Sequence, residues 1–184
     1  MNKKKILVLF IFIILFGSFL YEKKVVHKFI YPQKYSEYVE KYSKEFNLDK
    51  NIVYSVIKVE SKFDCNAVSK KDAKGLMQIR DITRDWAAEE LDLKNVDIFD
   101  PETNIRIGCW YLSKLYKEFG RLDLVIAAYN GGSGNVRKWL NDDKYSKDGE
   151  NLHSIPFDQT SNYVKKVKKN YREYKNIYEK DESK

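Results

Sequence analysis

Histidine and cysteine are scarce in this chain, with two of each in 184 residues. They form no cluster, so the sequence offers no metal site and asks for no organic cofactor. Neither an internal repeat nor a low-complexity tract is present, which leaves room for one domain and a short accessory segment. Arginine is also thin: 28 of the 34 basic residues are Lys, which is less suited to reading bases or phosphates bidentately. No basic-aromatic module accompanies them, and nucleic acid is not expected as a partner. The net charge is still +7, and +4 once Lys3, Lys4 and Lys5 are set aside. A surface of that sign suits an anionic polymer such as a cell wall.

The one long hydrophobic run extends from Ile6 to Leu20, directly after Met1-Asn2-Lys3-Lys4-Lys5. It falls short of the roughly 20 residues of a spanning helix, as a signal peptide does. No small-residue cleavage site follows, because Phe16, Phe19 and Tyr21 crowd the positions where one is needed. No Cys lies near its end to carry a lipid. Tyr21 can anchor at an interface and extend the span. The charge bias across the run is modest, since Lys23, Lys24 and Lys28 lie just beyond it. The expectation is an uncleaved signal-anchor over 1–21, a polar stem over 22–35, and a domain over 36–180. That predicts a single-pass protein of the cell membrane, with the domain on the extracytoplasmic side. A helix buried within the domain is the weaker alternative, given the Lys cluster in front of the run.

Helical periodicity dominates the rest. Ser36 to Phe46 puts Tyr38, Val39, Tyr42 and Phe46 on one stripe. A second helix runs from about Asn51 to Lys62, with Asn47 and Asp49 as start signals. Residues 63–79 are short, polar and Gly-punctuated, as in a small turn or hairpin. Further helices are expected around Ile82–Leu91, from Asp100-Pro101-Glu102 to Phe119, over Leu122–Tyr129, over Val136–Leu140, and from Thr160 to about Tyr178. A polar loop covers 141–153. The predicted fold is therefore mainly α.

Within the second helix, Val53, Val56 and Ile57 lead at helical spacing to Glu60, which places a carboxylate on the buried stripe. Burial and the negative end of the helix dipole both raise the pKa of such a group, and a carboxyl protonated near neutral pH can act as a general acid. By position alone, a Glu capped by backbone donors or paired with a Lys is the stronger reading.

Four blocks reverse that balance: Val59-Glu60-Ser61-Lys62-Phe63 with Gly75-Leu76-Met77-Gln78-Ile79; Asn104 to Leu112; Ala127 to Val136; and Ile155 to Val164. In this order and spacing they resemble the lytic transglycosylase domain of the soluble (Slt-type) family, over roughly residues 36–175. The resemblance implies a lysozyme-like (goose-type/Slt-type) fold with at most a small β-hairpin, preceded here by the N-terminal membrane segment. It implies peptidoglycan glycan strands as substrate, cut between N-acetylmuramic acid and N-acetylglucosamine without water, leaving 1,6-anhydromuramic ends. Glu60 would be the single acid and base. Ser69, Gln78, Tyr129, Asn130 and Tyr163 match substrate-contacting positions, with the Tyr129 hydroxyl near Glu60 and Tyr163 lining the groove. Gly75 and Gly131 suit close backbone approach or positive φ, and Ser61 suits bonding within the helix end.

The chain departs from the family pattern at Gln159, where many relatives carry a Glu, and at Arg80, where a Met is common. Cys65 stands where Pro is common, and Cys109 follows the helical Gly108. In the family fold their elements pack near each other, so a bridge and two buried thiols stand as equal readings. A lysozyme-like hydrolase and a non-catalytic wall-binding assembly factor are the competing functions. Wall turnover and cell-envelope assembly partners are both compatible with the sequence.

Overall fold

The computed structural model describes residues 25–179, together with Phe10 and Phe12. The expected membrane segment over 1–21 lies outside them, apart from those two residues. Among the described residues no helix is long and apolar enough to cross a membrane. Residues 34–172 form one compact unit, and the flanking segments form another. In the flanking unit residues 25–30 are helical. There Tyr174 meets Tyr31 edge-on at 5.5 Å, and the Tyr174 hydroxyl donates to the Pro32 carbonyl (2.9 Å).

The larger unit is built from α1 (Ser36–Glu45), α2 (Lys50–Glu60), α3 (Asp81–Glu90), α4 (Pro101–Phe119), α5 (Leu122–Gly131) and α6 (Ser133–Leu140), with α7 (Asp158–Tyr174) closing the series. A short π-helix, Lys175–Glu179, follows α7. No strand forms among the described residues, only isolated bridges. Val68–Lys74 and Lys74–Ile79 fold the segment after α2, and Ser146–Leu152 closes the later loop.

Local chemistry sets the helix starts. Asp49 caps α2 by accepting the Asn51 N–H (2.8 Å). Asp100 caps α4 through the Thr103 N–H (2.8 Å), with Pro101 in the first turn, where its missing N–H is not needed. Helix α2 stops at Glu60, two residues before the expected end, because Lys62 and Phe63 both take positive φ (54° and 68°). Helix α5 runs on through Gly131, past the expected stop at Tyr129. Helix α7 starts at Asp158, two residues earlier than the periodicity indicates.

The nineteen-residue α4 is the central strut, packing against α1, α3 and α5. Its Gly108 lies against Met77, where a Cβ would overlap the Met77 sulfur. The cysteines are both free. Cys65 interacts with Tyr35, just before α1, whereas buried Cys109 feels the charge of Glu45 at the other end of that helix.

Candidate active site

Glu60 is the last residue of α2, whose apolar stripe is fully buried at Val53, Val56 and Ile57. Its side chain is half-buried, and burial raises its carboxyl to a pKa of about 7. One hydrogen bond works against that shift: the Tyr163 hydroxyl donates to Glu60 Oε1 at 2.7 Å. A donor to a carboxylate favours the charged form, whereas loss of water disfavours it, and here burial is the larger effect. No neighbouring charge contributes to the shift. Tyr163 is itself buried, and burial together with the Glu60 charge pushes its phenol far above the usual range. It therefore stays protonated and remains a donor.

Helix α7 brings Tyr163 to this position. Its Tyr171 hydroxyl donates to Asp49 Oδ2 (2.6 Å) at the start of α2, while Tyr163 reaches Glu60 at the end. Two tyrosines eight residues apart on one helix thus pin both ends of the other. Tyr129 takes a different part. Its hydroxyl donates to the Met77 carbonyl (2.8 Å), not to Glu60, although the Glu60 charge is among the influences that raise its phenol. The aromatic expected beside the carboxyl is therefore not its hydrogen-bond partner; the one expected to line the groove is.

The segment after α2 is held by amides. Gln78, at positive φ (51°), donates through Nε2 to the carbonyls of Ala67 (3.1 Å) and Gly75 (3.0 Å). Ser69 Oγ, expected to face substrate, accepts the N–H groups of Ala73 (3.0 Å) and Lys71 (3.3 Å) and shapes an exposed turn. Asn130 Oδ1 accepts the hydroxyl of buried Thr160 (2.9 Å), tying α5 to α7. A Cβ at Gly131 would sit 3.2 Å from both Thr160 and Trp139, the close approach anticipated there. Ser61 donates to the Ile57 carbonyl (3.2 Å), as expected of a helix end.

Sequence reasoning missed the role of Asn104. Fully buried on α4, it accepts the Met77 N–H (2.8 Å) and donates to the carbonyls of Lys74 (3.0 Å) and Ile98 (2.8 Å). Gly75 has φ +75° and abuts this amide, so a Cβ there would collide with it. The signal was a lone Asn on an otherwise apolar helix face, the position where a buried amide must find partners.

The family model of the Transglycosylase SLT domain matches residues 37–152. The soluble lytic murein transglycosylase of Escherichia coli K12 is 32% identical over 143 residues, covering 74% of this chain and 22% of its own length. The membrane-bound lytic murein transglycosylase C of Salmonella arizonae is 33% identical over 125 residues, covering 60% of this chain and 34% of itself. This chain thus spans about a quarter to a third of such relatives. Among solved structures, an inactive glutamate-to-glutamine mutant of the lytic transglycosylase Slt from Pseudomonas aeruginosa superposes with a TM-score of 0.70. Its identity is 28%, over 79% of this chain and 24% of that one. The 70-kDa soluble lytic transglycosylase of E. coli gives the same TM-score and identity over 80% of this chain and 25% of its own. The helical order, the carboxyl at the end of α2 and a family match across well over half of the sequence lead to one assignment: this chain belongs to the Transglycosylase SLT domain family.

Proposed function

We propose that this domain is a peptidoglycan lytic transglycosylase that cleaves glycan strands between N-acetylmuramic acid and N-acetylglucosamine, with Glu60 as both acid and base. The observation that carries the reading is the Glu60 carboxyl itself: half-buried, with a pKa of about 7, and held by one phenol. A carboxyl poised there is populated in both forms near neutral pH. Protonated Glu60 gives its proton to the bridging oxygen as the bond to the muramic C1 breaks. The substrate's N-acetyl group stabilises the resulting cation. The ionised carboxylate then removes the proton from the muramic C6 hydroxyl, whose oxygen closes onto C1 as the 1,6-anhydro ring. Water is neither consumed nor released, and the carboxyl ends protonated.

Several observations favour this over hydrolysis. An inverting or retaining hydrolase works with two carboxylates across the bond, and a second one close by would raise the Glu60 pKa through its charge. Burial alone is the raising influence on Glu60. The names of the relatives, lytic murein transglycosylases, point the same way. Ser69, Gln78, Tyr129, Asn130 and Tyr163 border the strand in this reading. Gln78 and Tyr129 act largely by fixing the backbone that faces it. The N-terminal run acts as a signal-anchor that presents the domain to the wall, in keeping with relatives named membrane-bound.

The test is the Glu60→Gln chain on purified peptidoglycan, with products read by mass spectrometry. The expected outcome is a fall in anhydro ends of about 10²–10⁴-fold with the fold retained. Reducing ends from the wild-type chain would instead identify a hydrolase. No cleavage by wild type or variant would identify a wall-binding factor.

A further inference from the structure

Helix α3 buries a single residue, Ala87, where α6, two residues shorter, buries both Val136 and Trp139. Yet α3 carries two large apolar side chains at the surface, Ile82 at 74% and Trp86 at 43% exposure. Four residues apart, they stand on one face of the helix. Trp86 is also fixed. Its Nε1 donates to Glu90 Oε1 (3.0 Å) one turn on, and its ring meets Trp110 edge-on at 4.7 Å. Lys114 pairs with Glu90 and stands 5.7 Å from the Trp86 centroid. The result is a preformed apolar surface with a carboxylate and an ammonium at its rim.

Those are the features a pyranose needs: an apolar plane for its C–H faces, and polar groups at the edge for hydroxyl and amide hydrogen bonds. A path of packed rings also leads from it towards the candidate active site. The Trp86 ring lies 6.4 Å from that of Tyr111, which lies 5.5 Å from that of Tyr129. Helix α3 itself begins three residues after Gln78. A held, exposed indole at the end of such an aromatic path fits the next stretch of a bound polymer.

We propose that Ile82 and Trp86 form an additional glycan subsite, taking an N-acetylated sugar ring of an extended strand at a distance from the bond being cut. The proposal rests on the reading of the Glu60 site as a glycan site. It makes Trp86 a determinant of strand length, with no part in the chemistry.

Calorimetry on the full chain carrying Glu60→Gln tests this without turnover, using peptide-free glycan strands sorted by length and a tetrasaccharide of the same repeat. Adding Trp86→Ala is expected to weaken long-strand binding about tenfold and leave the tetrasaccharide unchanged, with Trp86→Phe restoring most of the loss. The thermal midpoint should stay within a few degrees in both variants. Equal affinity for long strands with and without Trp86 overturns the proposal. So does an equal loss at both lengths that Phe does not rescue, since that marks a structural role. Failure of the Glu60→Gln chain to bind long strands, or a dimer seen by sedimentation that Trp86→Ala dissolves, overturns it as well. Cleavage surviving in Glu60→Gln would sink the assignment of Glu60, and the effect of Trp86→Ala would then be read from initial cleavage rates on long strands against the tetrasaccharide, with the same outcomes deciding.

Discussion

The two sides of the candidate site are built on opposite plans. On the α2–α7 side, a titratable carboxyl is left half-buried with one phenol on it, and its proton is governed by that environment. On the side formed by residues 64–79, polar side chains are committed to backbone. Gln78 holds Ala67 and Gly75, Asn104 holds Lys74, Met77 and Ile98, and Tyr129 holds Met77. One side keeps a group available for proton transfer, and the other fixes a main chain lacking the ladder of a sheet. Motif residues that look alike in sequence therefore serve different ends: some supply a reactive atom, others supply shape.

The sharpest way to break the contrast is Asn104→Ala. It strands the Met77 N–H and the Ile98 carbonyl and takes one of two donors from the Lys74 carbonyl, which keeps the Ile79 N–H, and unfolding in urea should show a loss of about 3 kcal/mol. Glycan cleavage should fall with it as the Met77 carbonyl loses its place. A loss below about 0.5 kcal/mol would mean that the segment is held elsewhere.

On the other side, Glu60→Gln should stabilise the fold. The folded carboxyl keeps its proton up to about pH 7, against 4.5 for the ordinary group. The folded state therefore binds more protons in that window, and wild-type stability drops as pH rises through it and then levels off. Gln has no such penalty. The variant should match wild type near pH 4 and exceed it by about 1–2 kcal/mol at pH 8, after allowance for solvent screening. Thermal melts across pH check this, and a constant offset would remove burial as the cause.

The smallest effect is the most specific. Tyr163→Phe removes the only influence that lowers the Glu60 pKa. The alkaline limb of the pH–rate profile should then move up, because the carboxyl holds its proton longer. Tyr129→Phe should leave that limb in place, as its hydroxyl is bound to Met77. Exchanged behaviour of the two tyrosines would overturn the division of roles.

Local signals made much of this legible from sequence. Asp49, and Asp100 with Pro101, announced their helices, and the spacing from Val53 put Glu60 on a buried stripe. What stayed hidden was pairing at a distance. Nothing in the order of residues says that Tyr163 rather than Tyr129 meets Glu60, since that depends on how α7 docks. The amide of Asn104 was equally opaque, because its partners are main-chain atoms with no signature. The expected ends of α2 and α5 missed by two residues, where left-handed backbone after Glu60 and continued helix through Gly131 overrode propensity.

The hydrogen bond between Tyr163 and Glu60 joins positions 103 apart in the chain. Closing so long a loop costs about 4 kcal/mol of chain entropy, against little for the local turns that shape residues 64–79. We expect this contact to form late in folding and to be lost early in any opening that lifts α7. When α7 lifts away, the carboxyl gains water and its proton affinity falls back towards that of an ordinary glutamate, while the rest of the core still stands. The capacity to hold a proton at neutral pH is then a property of how α7 docks, and hydrogen exchange along α7 would report it before any global melt.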